Sequence, residues 1–548
     1  MMRKRNQKKS GKDLSRRGFL KAVGIGSVSL ALGGIKSRPT FGQDKERFMF
    51  AGPSELNTLD PAGHMDVGRS PCRLNLYDGL LRWRDNPPKL TPNLALSYEA
   101  SADAKKWTFH LRKGALFHDG SEVTSGDVVY TAERLLALGT GSAGVFAPIL
   151  DKGATRALDK YTVEFTLKKP FAAFAGLTHF LHVLNKKPLE AHQKDGDWGS
   201  AWLGTYGSRL GKDGVGSGSY TCEMYDPAVG FDGTKFKDHF LGWDRPHMER
   251  IAYRSIHEGA ARVLGLMKGD FHGEMGYLPY EQLEKVKTAP KIKVVEQPST
   301  RLYFAIMHNQ RPPTNDVHFR RAICYAFDYK SWIRDIQHDM VERNVGPVPN
   351  PMWGSLDPET EFGYEYNLDK AKEELKKCKV DWKKYLPLEQ APLLGFPMCM
   401  ESSQLLQSGL NRIGVKNVIT PKSWATLTQM ARKPDTTPNL WWLWRSTYYA
   451  DPHNWIGELF DSEKHGSWAG SCWYKNAQVD GLLHKAIAIV DQKEREKLYK
   501  EAGRIIVKDA PALLIHNEKW HGTFDKRVKG IRFCPVGDAN EYRWLYWG

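Results

Sequence analysis

The segment Trp107–Gly120 has the sequence Trp-Thr-Phe-His-Leu-Arg-Lys-Gly-Ala-Leu-Phe-His-Asp-Gly. Its first residues alternate, so that Trp107, Phe109 and Leu111 point to one side of the chain and polar residues to the other. This period of two is typical of a strand with one buried face. The same alternation returns in the next strand signal, where the inward positions are Tyr161, Val163, Phe165 and Leu167.

A helix signal lies between these two strands. Thr124-Ser-Gly-Asp127 places a threonine at the N-cap position and an acidic residue three positions later. This pair can satisfy backbone N–H groups at a helix start, so we expect a helix over residues 128–138.

The rest of the chain mixes strand and helix patterns in an order that does not alternate regularly. Further strands are expected at 48–52, 219–225 and 250–256, with a short apolar strand at Met398-Cys-Met400. Further helices are expected at 260–267, 317–336, 369–377, 479–490 and 494–508. Residues 195–219 are rich in Gly and Ser without periodicity and predict a loop. The pattern indicates α/β lobes rather than a barrel.

The N-terminus has the features of an export signal. Arg16 and Arg17 form a twin-arginine pair in Ser15–Lys21, and a weakly apolar run follows from Ala22 to Ile35. The run is too short for a membrane span, which needs ~20 apolar residues. We therefore expect residues 1–42 to be a twin-arginine signal peptide with cleavage before Gln43, releasing a soluble periplasmic protein.

Charge does not indicate a nucleic-acid partner. The chain carries a net charge of +16, of which +10 lies in residues 1–42, where eleven basic residues meet one acidic residue. The remaining charge, about +6, is spread over many residues of both signs. Nucleic-acid binding relies on concentrated basic surface, so no nucleic-acid partner is expected.

Motifs of catalysis, metal binding and cofactor binding are missing from the sequence. The seven cysteines are scattered, with no C-x-x-C pair and no close histidine at zinc spacing. The sequence contains no G-x-S-x-G, H-E-x-x-H or strand-associated G-x-G-x-x-G. We therefore predict no catalytic residues, no metal site and no cofactor. An exported hydrolase is the alternative of a different class.

Several blocks in sequence order resemble the family-5 solute-binding proteins of ABC importers, the peptide, nickel and opine group. The stretch Trp107–Gly120 is the most specific of them, and together the blocks extend over about residues 48–535. The other blocks are Leu76–Arg82, Leu90–Ala95, Asn309–Ala322, Tyr366–Ala371 and Asp509–Pro511.

The resemblance implies a two-lobed periplasmic-binding-protein fold, of type II and similar to cluster C, with three domains around a ligand cleft. Such lobes close over the ligand by a hinge motion. The implied boundaries place domain I at 43–75, 210–297 and 512–548, an inserted domain II at 76–209, and domain III at 298–511.

The function implied by the resemblance is solute capture rather than catalysis. A peptide or similar small solute would be bound in the periplasm and delivered to an ABC permease with its ATPases, and a monomer is expected. Oligosaccharide, opine and metal-chelate cargo stay open as alternative ligands.

One position departs from the peptide-binding pattern of the family. There, an aspartate three residues before an acidic-Pro pair holds the ammonium group of the peptide. Here Asp451-Pro452 forms the pair, and the clamp position falls on Tyr448. A phenol cannot neutralise an ammonium group, whereas the nearby Arg445 suits a carboxylate, a phosphate or sugar hydroxyls. The expected ligand-binding residues are Leu56, Tyr303, Trp444, Arg445, Ser446, Thr447, Tyr448 and Asp451.

Overall fold

The fold is taken from a computed structural model, which describes residues 47–64, 67–205, 214–274, 276–537 and 540–548. The expected signal peptide, with Arg16 and Arg17, lies outside the described residues. Within them, no helix has both the length and the apolar character that crossing a membrane requires.

Nineteen strands are defined in the described residues. They are β1 Arg47–Gly52, β2 Leu81–Arg84, β3 Lys89–Pro92, β4 Ala95–Ala100, β5 Lys106–Leu111, β6 Leu150–Asp159, β7 Thr162–Leu167, β8 Tyr220–Asp226, β9 Gly230–Lys235, β10 Arg250–Ser255, β11 Gly273–Glu274, β12 Ile292–Met307, β13 Val341–Arg343, β14 Leu388–Ala391, β15 Asn417–Ile419, β16 Leu440–Arg445, β17 Ala512–Asp525, β18 Val528–Lys529 and β19 Tyr546–Trp547.

The described residues also form sixteen α-helical segments, several of them a single turn. They are α1 Ser70–Leu76, α2 Ser125–Leu138, α3 Ala143–Phe146, α4 Phe174–Leu177, α5 Lys186–Ala191, α6 Ser200–Thr205, α7 Gly259–Lys268, α8 Tyr280–Lys287, α9 Val317–Ala326, α10 Tyr329–Ser331, α11 Leu368–Lys377, α12 Pro397–Arg412, α13 Trp424–Met430, α14 Ile456–Phe460, α15 Ala477–Ala488 and α16 Gln492–Asp509.

One long sheet runs through the molecule in the order β15-β14-β16-β12-β17-β11-β1-β10-β9-β8, and β13 pairs with β17 beside this path. Its centre is the antiparallel pair β12 and β17, which stays in register from Ile292↔Asp525 to Ile306↔Ala512 apart from two shifts. These two strands therefore connect the half of the sheet that ends at β15 with the half that ends at β8.

A separate four-stranded sheet has the order β4-β5-β7-β6. Trp107, Phe109 and Leu111 on β5 are buried, as the alternation predicts. Helix α2 begins at the predicted capping pair, where the Asp127 carboxylate accepts hydrogen bonds from the backbone N–H and hydroxyl of Thr124. The strand–helix–strand prediction from this part of the sequence is confirmed.

Three hydrophobic cores account for most of the buried side chains. The large core is formed chiefly by residues 302–515. The N-terminal core is formed chiefly by residues 80–183. The terminal core combines residues 48–77, 184–253 and 520–545. The large core packs against one end of the paired strands β12 and β17, and the terminal core packs against the other end. This division agrees with the two-lobed α/β fold expected from the resemblance.

Three local predictions were wrong. The single helix expected over 317–336 stops at Ala326, because Phe327 is extended and buried in the large core and Asp328 caps a separate turn. Met398-Cys-Met400 lies in the first turn of α12 rather than in a strand. The segment expected to be loop contains helix α6.

Buried ion pairs connect segments that are distant in the sequence. The Asp60 carboxylate accepts two hydrogen bonds from the Arg134 guanidinium, at 3.0 and 2.6 Å, and a third from the Ser200 hydroxyl at 2.9 Å. Both charged side chains are almost fully buried. This pair fixes helix α2 to the loop that follows β1.

A second pair joins the C-terminal segment to β2. The Arg84 guanidinium donates to both carboxylate oxygens of Glu541, at 3.1 Å each. The charge of Arg84 contributes to a Glu541 pKa that is lowered from 4.5 to about 2, against the opposing effect of burial. Glu541 therefore stays ionised in the folded protein well below its ordinary pKa.

We predict that Asp60→Asn lowers the free energy of unfolding by about 3–5 kcal/mol, because it leaves the Arg134 charge buried without its counter-ion. Asp151→Asn is the matched control, since Asp151 pairs with Lys168 at 2.8 Å on the surface. The control should change stability by less than about 0.5 kcal/mol. Urea unfolding monitored by tryptophan fluorescence measures both, and equal effects would contradict the prediction.

We also predict that Glu541→Gln destabilises the protein at neutral pH and that this difference shrinks in acid. The folded-state pKa of Glu541 lies below its unfolded value, so its stabilisation is present above pH 4.5 and is lost as the pH falls towards about 2. Urea unfolding of both proteins at pH 7, 4 and 3 measures the difference. A difference that stays constant across this range would show that ionisation of Glu541 does not contribute.

Candidate ligand-binding cleft

The candidate cleft lies beside the paired strands β12 and β17, between the end that packs in the large core and the end that packs in the terminal core. The pairing of these strands shifts register between Pro298 and Leu302. Such a bulge turns side chains out of the regular ladder, and it places Arg301 at the junction between the lobes.

Arg301 lies between two aromatic rings that belong to different cores. Its guanidinium carbon is 5.1 Å from the ring centre of Tyr277, which packs against the terminal core. It is 5.0 Å from the ring centre of Trp444, which packs against the large core. Both distances are within the range of cation–π attraction. The Arg301 guanidinium therefore contacts one aromatic side chain from the terminal core and one from the large core.

Glu518 on β17 is the counter-ion of Arg301. The guanidinium donates to the Glu518 carboxylate at 2.9 Å, and the two side chains are 25% and 8% exposed respectively. Burial raises the pKa of Glu518, and the neighbouring Arg301 opposes that effect. The carboxylate is thus the covered partner, and the cation is the more accessible one.

An aromatic surface continues from Trp444 towards helix α12. Phe396, the N-cap residue of α12, has its ring centre 5.4 Å from that of Trp444 and is 46% exposed. Tyr303, opposite Trp444 in the β12–β16 ladder, is fully buried behind it. Its hydroxyl lies 2.6 Å from the Ser402 hydroxyl on α12. Tyr303 therefore supports this wall rather than forming its surface.

The loop after β16 is held by Arg445. Its guanidinium is buried and donates to the backbone oxygen of Asn454 at 2.7 Å and to the side-chain oxygen at 3.3 Å. The Asn454 amide returns a hydrogen bond to the Ser446 carbonyl at 3.0 Å. The half-buried Tyr448 covers this group, with its ring centre 4.8 Å from the Arg445 guanidinium. Arg445 thus stabilises the conformation of the loop 446–454 through hydrogen bonds from its buried guanidinium.

Asp451 is paired with Arg495 of helix α16. The two side chains approach to 2.8 Å, and Asp451 also accepts a hydrogen bond from the backbone N–H of His453 at 3.0 Å. Burial lowers the pKa of His453 to about 3, so its ring is neutral. These contacts place Asp451 and His453 in the framework of the loop.

Two further predicted residues, Thr447 and Leu56, have buried side chains. Thr447 is buried, with its hydroxyl 2.5 Å from that of Thr300 next to the β12 bulge. The Leu56 side chain is fully buried in the terminal core. The structure brings Trp444 together with Tyr303 and Thr447 together with Thr300, and it places Leu56 in another core. Direct ligand contact by each of these residues stays a prediction.

The loop 446–454 also meets the N-terminal core. The Tyr448 ring centre is 6.4 Å from that of Phe180, and Tyr449 is a member of that core. The backbone N–H of Ala172 donates to the Ile487 carbonyl at 2.7 Å. The two sides of the cleft are therefore in contact in this conformation.

One cluster has the residue types of a metal site. The ligand atoms of Asp461, Glu463 and His484 lie within 4.8 Å of one another. His484 pairs with Asp461 at 3.0 Å, and Lys169 pairs with Glu463 at 2.9 Å. Because these side chains are engaged in ion pairs that include a lysine, the cluster gives no basis for a metal site.

Sequence reasoning did not find Arg301, Glu518, Tyr277 or Phe396. None of them lies in a motif, and Arg301 and Glu518 are 217 positions apart. A signal could have been the apolar alternation of β12, which is interrupted near Pro298, but the partner strand is not evident from the sequence.

Comparison with known proteins agrees with this architecture. The Escherichia coli protein named "Probable D,D-dipeptide-binding periplasmic protein DdpA" is 29% identical over 90% of this chain and 92% of its own length. "Heme-binding protein A" of Haemophilus influenzae is 25% identical over 84% of this chain and 85% of its own length.

A solved structure of the periplasmic binding protein DppA from Helicobacter pylori, in complex with the peptide STSA, has the same fold. It is 24% identical, with a TM-score of 0.74 over 91% of this chain and 98% of that chain. The family model "Bacterial extracellular solute-binding proteins, family 5 Middle" matches residues 89–467, well over half of the sequence. The protein described here therefore belongs to the bacterial extracellular solute-binding proteins of family 5.

Proposed function

We propose that this protein carries short peptides, of about dipeptide size, to an ABC importer. Proteins of its family bind solutes for transport and are not enzymes, so the hydrolase alternative is not favoured. The proposal of a peptide is supported by the relative that is 29% identical and is named for D,D-dipeptide binding.

The surface beside the bulge in the β12–β17 ladder suits such a ligand. Trp444 and Phe396 offer aromatic faces, which contact side chains of many shapes. The Arg301–Glu518 pair offers charge at the same place. This combination of tolerant aromatic walls with one charged group is the observation that carries the proposal.

Closure of the two lobes would use the same strands. In family members with this fold, the ligand is enclosed between two lobes that move about a hinge. β12 and β17 connect the cores on both sides, so a small change at the bulge after Pro298 would change the angle between the lobes. Closure excludes water and strengthens polar contacts to the ligand.

We further propose that the protein acts in the periplasm after export through its twin-arginine signal, with Arg16 and Arg17 as the essential pair. Its partner would be a permease pair with associated ATPases, approached by a monomeric, liganded protein. The relative with the D,D-dipeptide name is itself described as periplasmic. No nucleic acid takes part in this proposal.

We predict that the purified protein binds a dipeptide with a Kd of about 1 µM or tighter, a free energy near −8 kcal/mol. Isothermal titration with L-alanyl-L-alanine, D-alanyl-D-alanine, maltotriose and hemin measures this. Native mass spectrometry should recover the peptide intact. Binding of hemin or maltotriose without binding of any peptide would replace the peptide assignment, and cleaved peptide would contradict a binding role.

We predict that Arg445→Ala lowers the free energy of unfolding by about 1.5–3 kcal/mol, because the buried oxygens of Asn454 lose charge-assisted hydrogen bonds. Asn454→Ala is the comparison variant, since it removes the side-chain oxygen that accepts from Arg445 and the amide that donates to Ser446, and keeps the backbone oxygen that also accepts from Arg445. Both variants should bind all dipeptides more weakly and in the same order of preference. An unchanged melting temperature with loss of only one ligand would instead indicate direct contact between Arg445 and the ligand.

A further inference from the structure

Four arginine side chains surround the indole ring of Trp544, near the C-terminus. The guanidinium carbons of Arg245 and Arg532 are 3.6 and 4.2 Å from the centre of this ring. Those of Arg543 and Arg84 are 5.4 and 5.8 Å from it. All four distances are within the range of cation–π attraction. Cations from β2, from the segment between β9 and β10 and from the segment between β18 and β19 therefore meet at one aromatic side chain.

Negative charge does not balance positive charge in this cluster. Arg84 has a counter-ion, because it donates to both carboxylate oxygens of Glu541. The buried Arg543 guanidinium donates to a serine hydroxyl, a histidine ring nitrogen and a backbone oxygen rather than to a carboxylate. Among the described residues, the guanidiniums of Arg245 and Arg532 have neither an ion pair nor a hydrogen bond. These two cations therefore have room for an anionic partner.

Arg245 and Arg532 are close enough to repel each other. Partial burial lowers the pKa of Arg245, and the charge of Arg532 lowers it further. Both residues are exposed, so an anion from solution can reach them. Like charges that are held together disfavour each other, and an anion bound between them would remove this cost. The arrangement therefore favours an anion on electrostatic grounds.

The chemistry of two guanidiniums on one ring indicates the kind of anion. A guanidinium contacts an aromatic ring through its flat face, so its N–H donors, which lie in its plane, stay available for hydrogen bonds. A phosphate group offers three acceptor oxygens and a charge of up to about −2. It can therefore accept hydrogen bonds from both guanidiniums at once. A single carboxylate, with two oxygens and one charge, is used fully by one guanidinium.

We propose that Arg245 and Arg532, stacked on Trp544, bind a phosphate group, which is either the free ion or the headgroup of an anionic phospholipid. Arg84 adds positive charge beside this site. None of these residues belongs to the candidate cleft, which is built on β12, β16 and β17. The inference goes beyond the proposed peptide-carrier function and does not depend on it.

The first test uses inorganic phosphate as the probe. Equilibrium dialysis of the purified protein with radiolabelled phosphate, in a buffer without other oxyanions, should show a single site with a Kd of about 1 mM or tighter. The double variant Arg245→Gln with Arg532→Gln should bind phosphate at least about tenfold more weakly, because both guanidiniums are removed. Arg245→Lys keeps the charge but not the planar fork, and it should weaken binding by about threefold or more.

A matched control separates this site from the general effect of charge. Arg156→Gln with Arg432→Gln removes two exposed arginines elsewhere on the surface and changes the net charge by the same amount. This control should keep the wild-type affinity for phosphate. Phosphate should also raise the melting temperature of the wild-type and control proteins and leave that of the Arg245/Arg532 double variant unchanged, since a ligand stabilises only the protein that binds it.

The second test distinguishes the two sources of the phosphate group. Vesicles of phosphatidylglycerol should sediment the wild-type protein if the headgroup is the source, whereas vesicles of zwitterionic phosphatidylcholine should not. Binding of free phosphate without vesicle binding would identify the free ion. Either result supports the site if the double variant loses it and the control keeps it.

Three outcomes would overturn the inference. They are binding of neither probe, binding that survives in the folded double variant, and an equal loss in the control. Binding of an acidic peptide in place of both probes would overturn the choice of phosphate. Dipeptide affinity should be the same in the wild-type protein and the double variant, so failure of the phosphate site leaves the proposed function intact.

Discussion

The antiparallel pairing of β12 with β17 is the interaction on which the rest of the structure depends. Each strand is long enough to serve the large core at one end and the terminal core at the other. Backbone hydrogen bonds hold the two strands together along most of this length, and the ladder shifts register after Pro298. The paired strands therefore connect the two cores, and a bulge of this kind bends the ladder locally.

In the loop 446–454, buried charged groups support the aromatic side chain of Tyr448. Its charged residues are turned inward, where Arg445 bonds Asn454 and Asp451 pairs with Arg495. Buried charged groups are costly unless they are paired, and Arg445 and Asp451 each have a defined partner. Tyr448 is left half-buried above them. Tyr448 is therefore supported by an ordered framework of paired charged groups.

Much of the fold follows from local patterns. The alternation around Trp107 and the Thr124–Asp127 capping pair predicted β5 and α2, because side-chain burial and end capping are decided within a few residues. The predicted helix over 317–336 failed where a buried aromatic residue, Phe327, is drawn into the large core and interrupts the helix. Periodicity cannot detect such a break, since an apolar residue at that position fits either conformation.

The sequence by itself determined the family resemblance, the α/β class and the segment around Tyr448, because each rests on residues that are neighbours in the chain. Only the tertiary structure decided which charged residues meet at the cleft. Arg301 and Glu518 are separated by 217 positions, and they are brought together by the register of β12 against β17. Arg445 was expected near the ligand from its place in the sequence, yet its guanidinium is buried on Asn454. Spacing along the chain gives proximity to a loop, whereas strand pairing and burial decide which side of that loop a side chain occupies.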